Sequence, residues 1–331
     1  MSVGSGLGGS LGYAAEASYG VYTVPTRFVE PDKVDLKKVK NIVQGGGLAA
    51  GRLVQAGSRR VVVSEAGTGS IDQEVTNKGM GLLLQHIFGG SAAPVQQGVT
   101  TAYKQTHPLV DNVTNYLTAQ SGVPDTTGTV RPYTGTGGKV TSAEFSCGVG
   151  ELLKVALELD FQKVAEVETL AAPSYATGVT GFHFKQMALK LGTFGSEASV
   201  DGVKKVSLKV ERGQATDRFY ANATGLKANP LTSDFIKVSG SIDADFVDKT
   251  IFADRFAADT STSLVWEFVG PVIASTYYEK ITFRVPMTFF DGDTPVIEGP
   301  GVVSGSFPFV GQFDLTNAAV ICEYTSVDTT I

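Results

Sequence analysis

The sequence predicts an all-β fold with short helices: two tandem β-sandwich or barrel domains, each with one short α-helix, behind an extended N-terminal arm. Three observations carry that reading. Apolar and polar residues alternate with period two through several long stretches. Two stretches read alike, Gly69-Ser70-Ile71-Asp72 and Gly240-Ser241-Ile242-Asp243, each ending a strand before a short apolar-periodic segment. The 39 glycines, with many Ser and Thr, supply the turns that a strand-rich chain needs. An echo at so long a spacing marks a duplicated domain rather than a solenoid unit. Two domains that present one surface twice suit a ring-shaped assembly.

Residues 1–57 are Gly-rich, with Gly45-Gly46-Gly47 near their end and little sustained periodicity. They read as an arm able to add a strand to a neighbour's sheet edge. Tyr13, Tyr19, Tyr22, Phe28 and Leu36 give that arm apolar anchors that a solvated tail would not need.

The first domain spans residues 58–175. Val61 and Val63 open a strand; Gly69, Ile71, Gln73 and Val75 line one face of the next, with Ser70, Asp72 and Glu74 on the other. Asn77 is placed to N-cap a helix carrying Met80, Leu83, Leu84 and Ile87, and Gly89 stands where that helix should stop. Residues 89–114 form a long polar insertion. Strands resume around Tyr116, over residues 140–147 and over residues 153–161. In the last of these Val155, Leu157, Leu159 and Phe161 alternate with Ala156, Glu158 and Asp160.

The second domain, residues 176–331, repeats this order. Val206, Leu208 and Val210 alternate with Ser207, Lys209 and Glu211. Val238, Gly240, Ile242, Ala244 and Phe246 face one way, and Ser239, Ser241, Asp243 and Asp245 the other. Asp248 caps a helix with Ile251, Phe252 and Phe256. Leu264, Trp266 and Phe268 mark a strand, and Ile281, Phe283, Val285, Met287 and Phe289 share one face of a longer one. Phe307 and Phe309, then Val320 and Cys322, complete the sheet.

Composition bounds the function. The length of 331 residues fits two domains of ~150 residues. Charged residues make up 18% of the chain, below the usual ~25%, which suits a subunit that buries much surface against neighbours. Acids outnumber bases 33 to 27, a net charge of −6. That argues against a surface built to grip phosphates and is compatible with one along which DNA slides without sticking. Cys147 and Cys322 lie in unrelated strands, outside any CxxC or Cys/His cluster, and read as buried free thiols of a protein made in a reducing cytosol. The stretch Met1-Ser2-Val3-Gly4 has neither the basic nor the apolar region of a signal peptide, and no run approaches the ~18 apolar residues of a membrane span.

Chemistry-bearing motifs are missing their context. Gly4-Ser5-Gly6-Leu7-Gly8-Gly9 matches GxGxxG, but no strand precedes it and no helix follows, so nothing brings a helix dipole to a phosphate. His86, His107 and His183 fall in no HExxH or nucleophile-elbow setting and read as structural. Asp72/Glu74 and Asp243/Asp245 are i, i+2 carboxylate pairs on equivalent strands; with only Ser and Gly around them they read as a polar face rather than an acid–base or Ca²⁺ site. Asn112-Val113-Thr114 and Asn222-Ala223-Thr224 match the glycosylation pattern without a secretory signal. No catalytic, cofactor or metal-ligating residue is assigned.

Residues 4–19, Asn77-Lys78-Gly79-Met80-Gly81-Leu82-Leu83-Leu84-Gln85-His86, Pro124-Asp125-Thr126-Thr127-Gly128-Thr129-Val130-Arg131-Pro132, and residues 139–159 and 237–270 resemble stretches of the tail tube (major tail) proteins of long-tailed phages. The resemblance is to the double-domain branch. It implies tail-tube-like domains and a virion protein assembled in the host bacterial cytoplasm. Its partners are then itself, as a ring of three chains with pseudo-sixfold symmetry stacked into a tube, other tail proteins, and DNA that passes without specific binding. A capsid decoration or tail-tip protein, or a carbohydrate-binding β-sandwich module or hydrolase, are the alternatives. Trp266, on an apolar strand face, does not favour a sugar-binding platform. For a tube, Asp72, Glu74, Asp243 and Asp245 are the lumen-facing candidates, on a face whose acids should exceed its bases. The arm and the 89–114 insertion are candidates for ring-to-ring contact. Deleting residues 1–40 is expected to leave folded subunits that form no tubes.

Overall fold

A computed structural model describes residues 4–222, 224–292 and 299–331. Met1-Ser2-Val3, and Ala223 of the second glycosylation pattern, lie outside them. The chain is all-β with short helices, and the sheet stays open. It begins with β1 (Ser10–Glu16), β2 (Arg27–Val29), β3 (Pro31–Gln44) and β4 (Arg60–Glu74). Helix α1 (Gly81–Phe88) follows, then β5 (Val95–Gln96), β6 (Tyr103–Pro108), β7 (Tyr116–Pro124), β8 (Val130–Gly148), β9 (Lys154–Phe161) and β10 (Lys163–Ala165). The second half holds β11 (Met187–Thr193), β12 (Ser196–Ser199), β13 (Val203–Glu211), β14 (Gln214–Ala215), β15 (Leu231–Thr232) and β16 (Lys237–Asp245). After α2 (Ala253–Ala257) come β17 (Thr262–Ala274), β18 (Tyr277–Phe290), β19 (Ser304–Gln312) and β20 (Ile321–Ser326).

Strand pairing exposes a repeat deeper than the matching tetrapeptides. In the first half neighbours run β2–β1–β7–β8–β9–β4–β3. In the second they run β12–β11–β17–β18–β19–β16–β13. Every pair is antiparallel, and the helix falls between the equivalent strands β4 and β7, or β16 and β17. This alters the sequence-based boundaries. Residues 1–57 are not an arm outside the first sheet, since β1, β2 and β3 are the counterparts of β11, β12 and β13.

The physical reason this was hidden lies in β1. It is buried along six of its seven positions, and a strand covered on both faces shows no alternation. Gly12 stands where space is short: a Cβ there would be 2.7 Å from the Phe28 ring. Glu16 at its end is buried, and its carboxylate accepts hydrogen bonds from the Gly137 and Gly20 amides and the Thr118 hydroxyl. Removing residues 1–40 would therefore strip core strands, and the expectation that such a deletion leaves folded subunits is withdrawn.

The 89–114 insertion is likewise drawn into the fold. Its β6 pairs with β20 at the far end of the chain, and Gln105 and His107 are fully buried there. What it leaves exposed is its tip, at Val95 and Val99. A second junction between halves is β8 with β13, paired from Ser142↔Glu211 to Gly148↔Lys205. The buried residues of both halves form one core. Phe145 of β8 and Phe283 of β18 meet across it, ring centroids 4.6 Å apart, with Phe88 of α1 beside both. Trp266 is fully buried, packed on Phe268 and Phe283.

The helices differ from their predicted caps. Met80 occupies the N-cap of α1 without a side-chain hydrogen bond. Asn77 lies upstream, its amide spent on the Thr180 N–H and the Glu279 carboxylate. Gly89 ends the helix as predicted, at φ 86°, a backbone value that suits glycine. Asp248 holds a turn through the Thr250 N–H, and α2 starts after Phe252. Phe252 is buried on Phe307 and Phe290, whereas Phe256 is partly exposed. On β18 the predicted apolar face holds only through Val285. A register shift between Thr262/Leu264 of β17 turns Thr288 and Phe290 inward in place of Met287 and Phe289.

Candidate functional site

Seven strands from both halves make one continuous sheet, ordered β3–β4–β9–β8–β13–β16–β19. One face is core: Ile71, Leu157, Ala143, Val210 and Val238 stand in a single cross-strand row and are buried. The other face is polar. Because side chains alternate with period two, the register assigns each polar residue to a row on it. One row reads Lys33, Asp72, Ala156, Glu144, Lys209, Ser239. The next reads Glu74, Lys154, Ser146, Ser207, Ser241, with the Ser207 and Ser241 hydroxyls 3.0 Å apart.

All four lumen candidates lie on this face. Asp72 and Glu74 come from the first half, Asp243 and Asp245 from the second, and the β8–β13 junction makes their surfaces one. None stands as an isolated negative charge. Asp72 is in register with Lys33, Glu74 with Lys154, and Asp243 with Lys205. The Lys204 ammonium lies 2.5 Å from the Asp245 carboxylate. Lys209 and Glu211 pair at 2.5 Å, which holds the glutamate below the usual carboxylate range through that hydrogen bond. The face is therefore a lattice of charge and serine in which each candidate acid has a lysine beside it.

Sequence reasoning passed over Glu158, which lies between Ser70 and Ser142 with no ion pair among the described residues. Its signal was present in the alternation of the 153–161 strand. Register alone places it beside the other acids.

The remaining titratable groups of interest are buried in structural roles. His86, on α1, sets its ring nitrogens against the Leu82 and Tyr116 carbonyls, and burial pushes its pKa down. His107 is pushed down to about 4 by burial. Cys147 and Cys322 are buried and unpaired; burial raises both thiols, Cys147 to about 11. Asn112 is buried and accepts a hydrogen bond from Gln214, so no glycan reaches it. Residues 6–8 form a 3-10 turn that runs into β1 rather than a helix, leaving the GxGxxG match without its phosphate site. Among the described residues no cluster of three His, Cys, Asp or Glu could hold a metal ion, and no helix is long and apolar enough to cross a membrane.

A second surface stands apart. Beyond Gly67, β4 leaves β9, and past a bridge from Glu65 to Leu226 β3 and β4 continue as a two-stranded hairpin. Val39, Ile42, Val43, Val61, Val62 and Val63 are exposed along it, and Leu48 and Leu53 at its tip are fully exposed. Two strands alone are marginal in water, and exposed apolar area of this kind marks an interaction surface.

The family model for phage tail tube proteins matches residues 6–311. The chain belongs to the phage tail tube family. No curated protein matches the sequence. Family membership makes the chain a structural component of a phage tail, one that associates with itself and with other tail proteins.

Proposed function

We propose that three copies of this chain close into a ring with pseudo-sixfold symmetry, that rings stack into a tube, and that the seven-stranded polar face lines a lumen conducting DNA into the host. One observation carries this reading: within the chain, the first repeat already joins the second edge to edge through β8 and β13. The counterpart of β13 in the first repeat is β3, whose outer edge carries no strand among the described residues. The counterpart of β8 is β18. Repeating the internal junction between chains sets β3 of one copy at the C-terminal end of β18 of the next. Three such steps give six equivalent sheets and cover the outer edge of every β3, which is how a ring disposes of unpaired backbone groups.

The polar face suits passage without binding. Its lysines sit beside carboxylates, which lowers their availability to phosphates, and its serines offer no fixed charge. The apolar β3–β4 hairpin and the exposed tip at Val95 and Val99 supply ring-to-ring contact surfaces outside the sheet. Assembly then takes place in the host cytoplasm, and the finished subunit resides in the virion tail.

Electron microscopy of the purified protein across a concentration series tests this. Hollow tubes, or rings with three- or six-fold views, are expected. Rings of another symmetry would remove the three-chain reading. A protein that stays monomeric when supplied with sheared tail fragments as seeds would overturn polymerisation itself.

A further inference from the structure

The loop between β13 and β16 crosses from the second repeat onto the first and seats one lysine beside one carboxylate in the interior. Lys227 is 3% exposed and Asp160, on β9, is 6% exposed. The Lys227 ammonium pairs with Asp160 Oδ1. Asp160 Oδ2 is buried with no hydrogen-bond partner. Beside them the Tyr19 hydroxyl is also buried without a partner, and it feels the Asp160 charge.

The other buried carboxylates are treated differently. Glu16 receives three hydrogen-bond donors, two of them backbone amides. Glu267 is paired with both Lys190 and Lys280. Glu197 takes Arg284 and the Ser263 hydroxyl. Asp160 alone among these has one lysine and one orphaned oxygen. A buried ion pair so poorly supported costs more in desolvation than its attraction returns. Burial accordingly raises Asp160 to about 6, which brings its neutral acid closer to reach than that of an exposed aspartate.

We propose that Lys227 and Asp160 condense into an intramolecular isopeptide bond. The ammonium passes a proton to the carboxylate, leaving the free amine beside the neutral acid. The amine nitrogen then attacks Asp160 Cγ, a C–N bond forms, and the carboxyl hydroxyl leaves with an amine proton as water. No electrons are exchanged and no co-reactant is needed.

Both partners are held for this step. Asp160 lies in the ladder between Lys139 and Thr68. The Lys227 carbonyl accepts from Gln162 Nε2 at 3.2 Å, the Ala228 amide donates to the Arg218 carbonyl, and the Glu65 amide donates to the Gly225 carbonyl. A reaction between two groups so fixed needs little further ordering. The adjacent lysine, Lys139, does not compete, because its ammonium is committed to the Asn112 and Val113 carbonyls. The bond would tie the second repeat's loop to a strand of the first, replacing two buried charges with one neutral amide.

Mass spectrometry of the full-length protein in denaturant tests the proposal directly. A mass below that of the linear chain by one water, with a branched proteolytic peptide joining the Asp160 and Lys227 segments, is expected. Lys227→Arg should restore the linear mass. Asp160→Asn should give the same cross-linked mass as the wild type, ammonia leaving in place of water. The wild-type measurement decides alone if a variant misfolds: full linear mass with two unbranched peptides overturns the proposal and leaves a buried ion pair.

Discussion

Lys205 faces Asp243 across the β13–β16 ladder, in the place where Lys33 faces Asp72 across β3 and β4. The charge pair is duplicated along with the strands. An opposite-charge cross-strand pair contributes roughly 0.2–1 kcal/mol, too little to hold a domain. Its value lies in register, and in a face whose acids are interleaved with lysines.

That balance is testable by reversing charge. Replacing Asp72 and Asp243 together with Lys sets lysine against lysine in both repeats and turns each row basic. DNA release from assembled tails should slow at low ionic strength and recover as salt screens the added charge. Unchanged release at low salt would remove these residues from the lumen.

The same experiment at Glu158 separates position from pairing. Since no lysine neighbours it in register, Glu158→Lys should slow release more per charge than Asp72→Lys. Ejection kinetics on the two variants make the comparison, and equal effects would count against the pairing argument.

The hairpin beyond Gly67 should be dispensable for folding and needed for stacking. Replacing residues 45–58 with an Asn-Gly turn removes exposed apolar residues and no core strand. Thermal unfolding should shift by only a few degrees, on the order of 1 kcal/mol, while single rings accumulate in place of tubes. A large loss of stability would show that the tip supports the fold.

Phe283→Ala should cost about 3–5 kcal/mol. Phe283 is fully buried and touches Phe145 of the other half. Because the halves share that core, calorimetry of both proteins should give one unfolding transition, lowered in the variant. Two separable transitions would contradict a shared core.

His107 carries a pH prediction. Its folded pKa, about 4, lies below the unfolded value of about 6.5. The unfolded chain thus binds a proton first, and stability present above pH ~6.5 is lost as pH falls toward 4, by roughly 3 kcal/mol. His107→Gln keeps a neutral polar side chain and should flatten that part of the stability curve. Denaturant titrations at pH 7 and pH 4.5 on both proteins make the comparison; parallel curves would place the acid sensitivity elsewhere.

Much of this was legible where one sheet face is wet. The alternation of residues 69–75, 153–161, 206–211 and 238–245 reports strands with one buried side, and the polar-face positions of Asp72, Glu74, Asp243 and Asp245 followed from it. The helix around Leu83 and its stop at Gly89 were equally plain. Where both faces are covered, as in β1, or where a short strand such as β6 finds its partner at the other end of the chain, local pattern carried no signal. Asn77 looked like a cap because it is the right residue type near the right place. Its amide instead bridges to Thr180 and Glu279, which no local rule anticipates.

The sequence by itself determined the strand-rich class, the duplication and the set of polar positions, because each is written in residue periodicity at short range. Only the tertiary structure decided that the repeat starts at β1, that the halves share one core, and that their polar faces fuse at β8 and β13. Those outcomes depend on which strand edges pair, and edge pairing is settled by long-range burial and backbone hydrogen bonding rather than by neighbours in the chain.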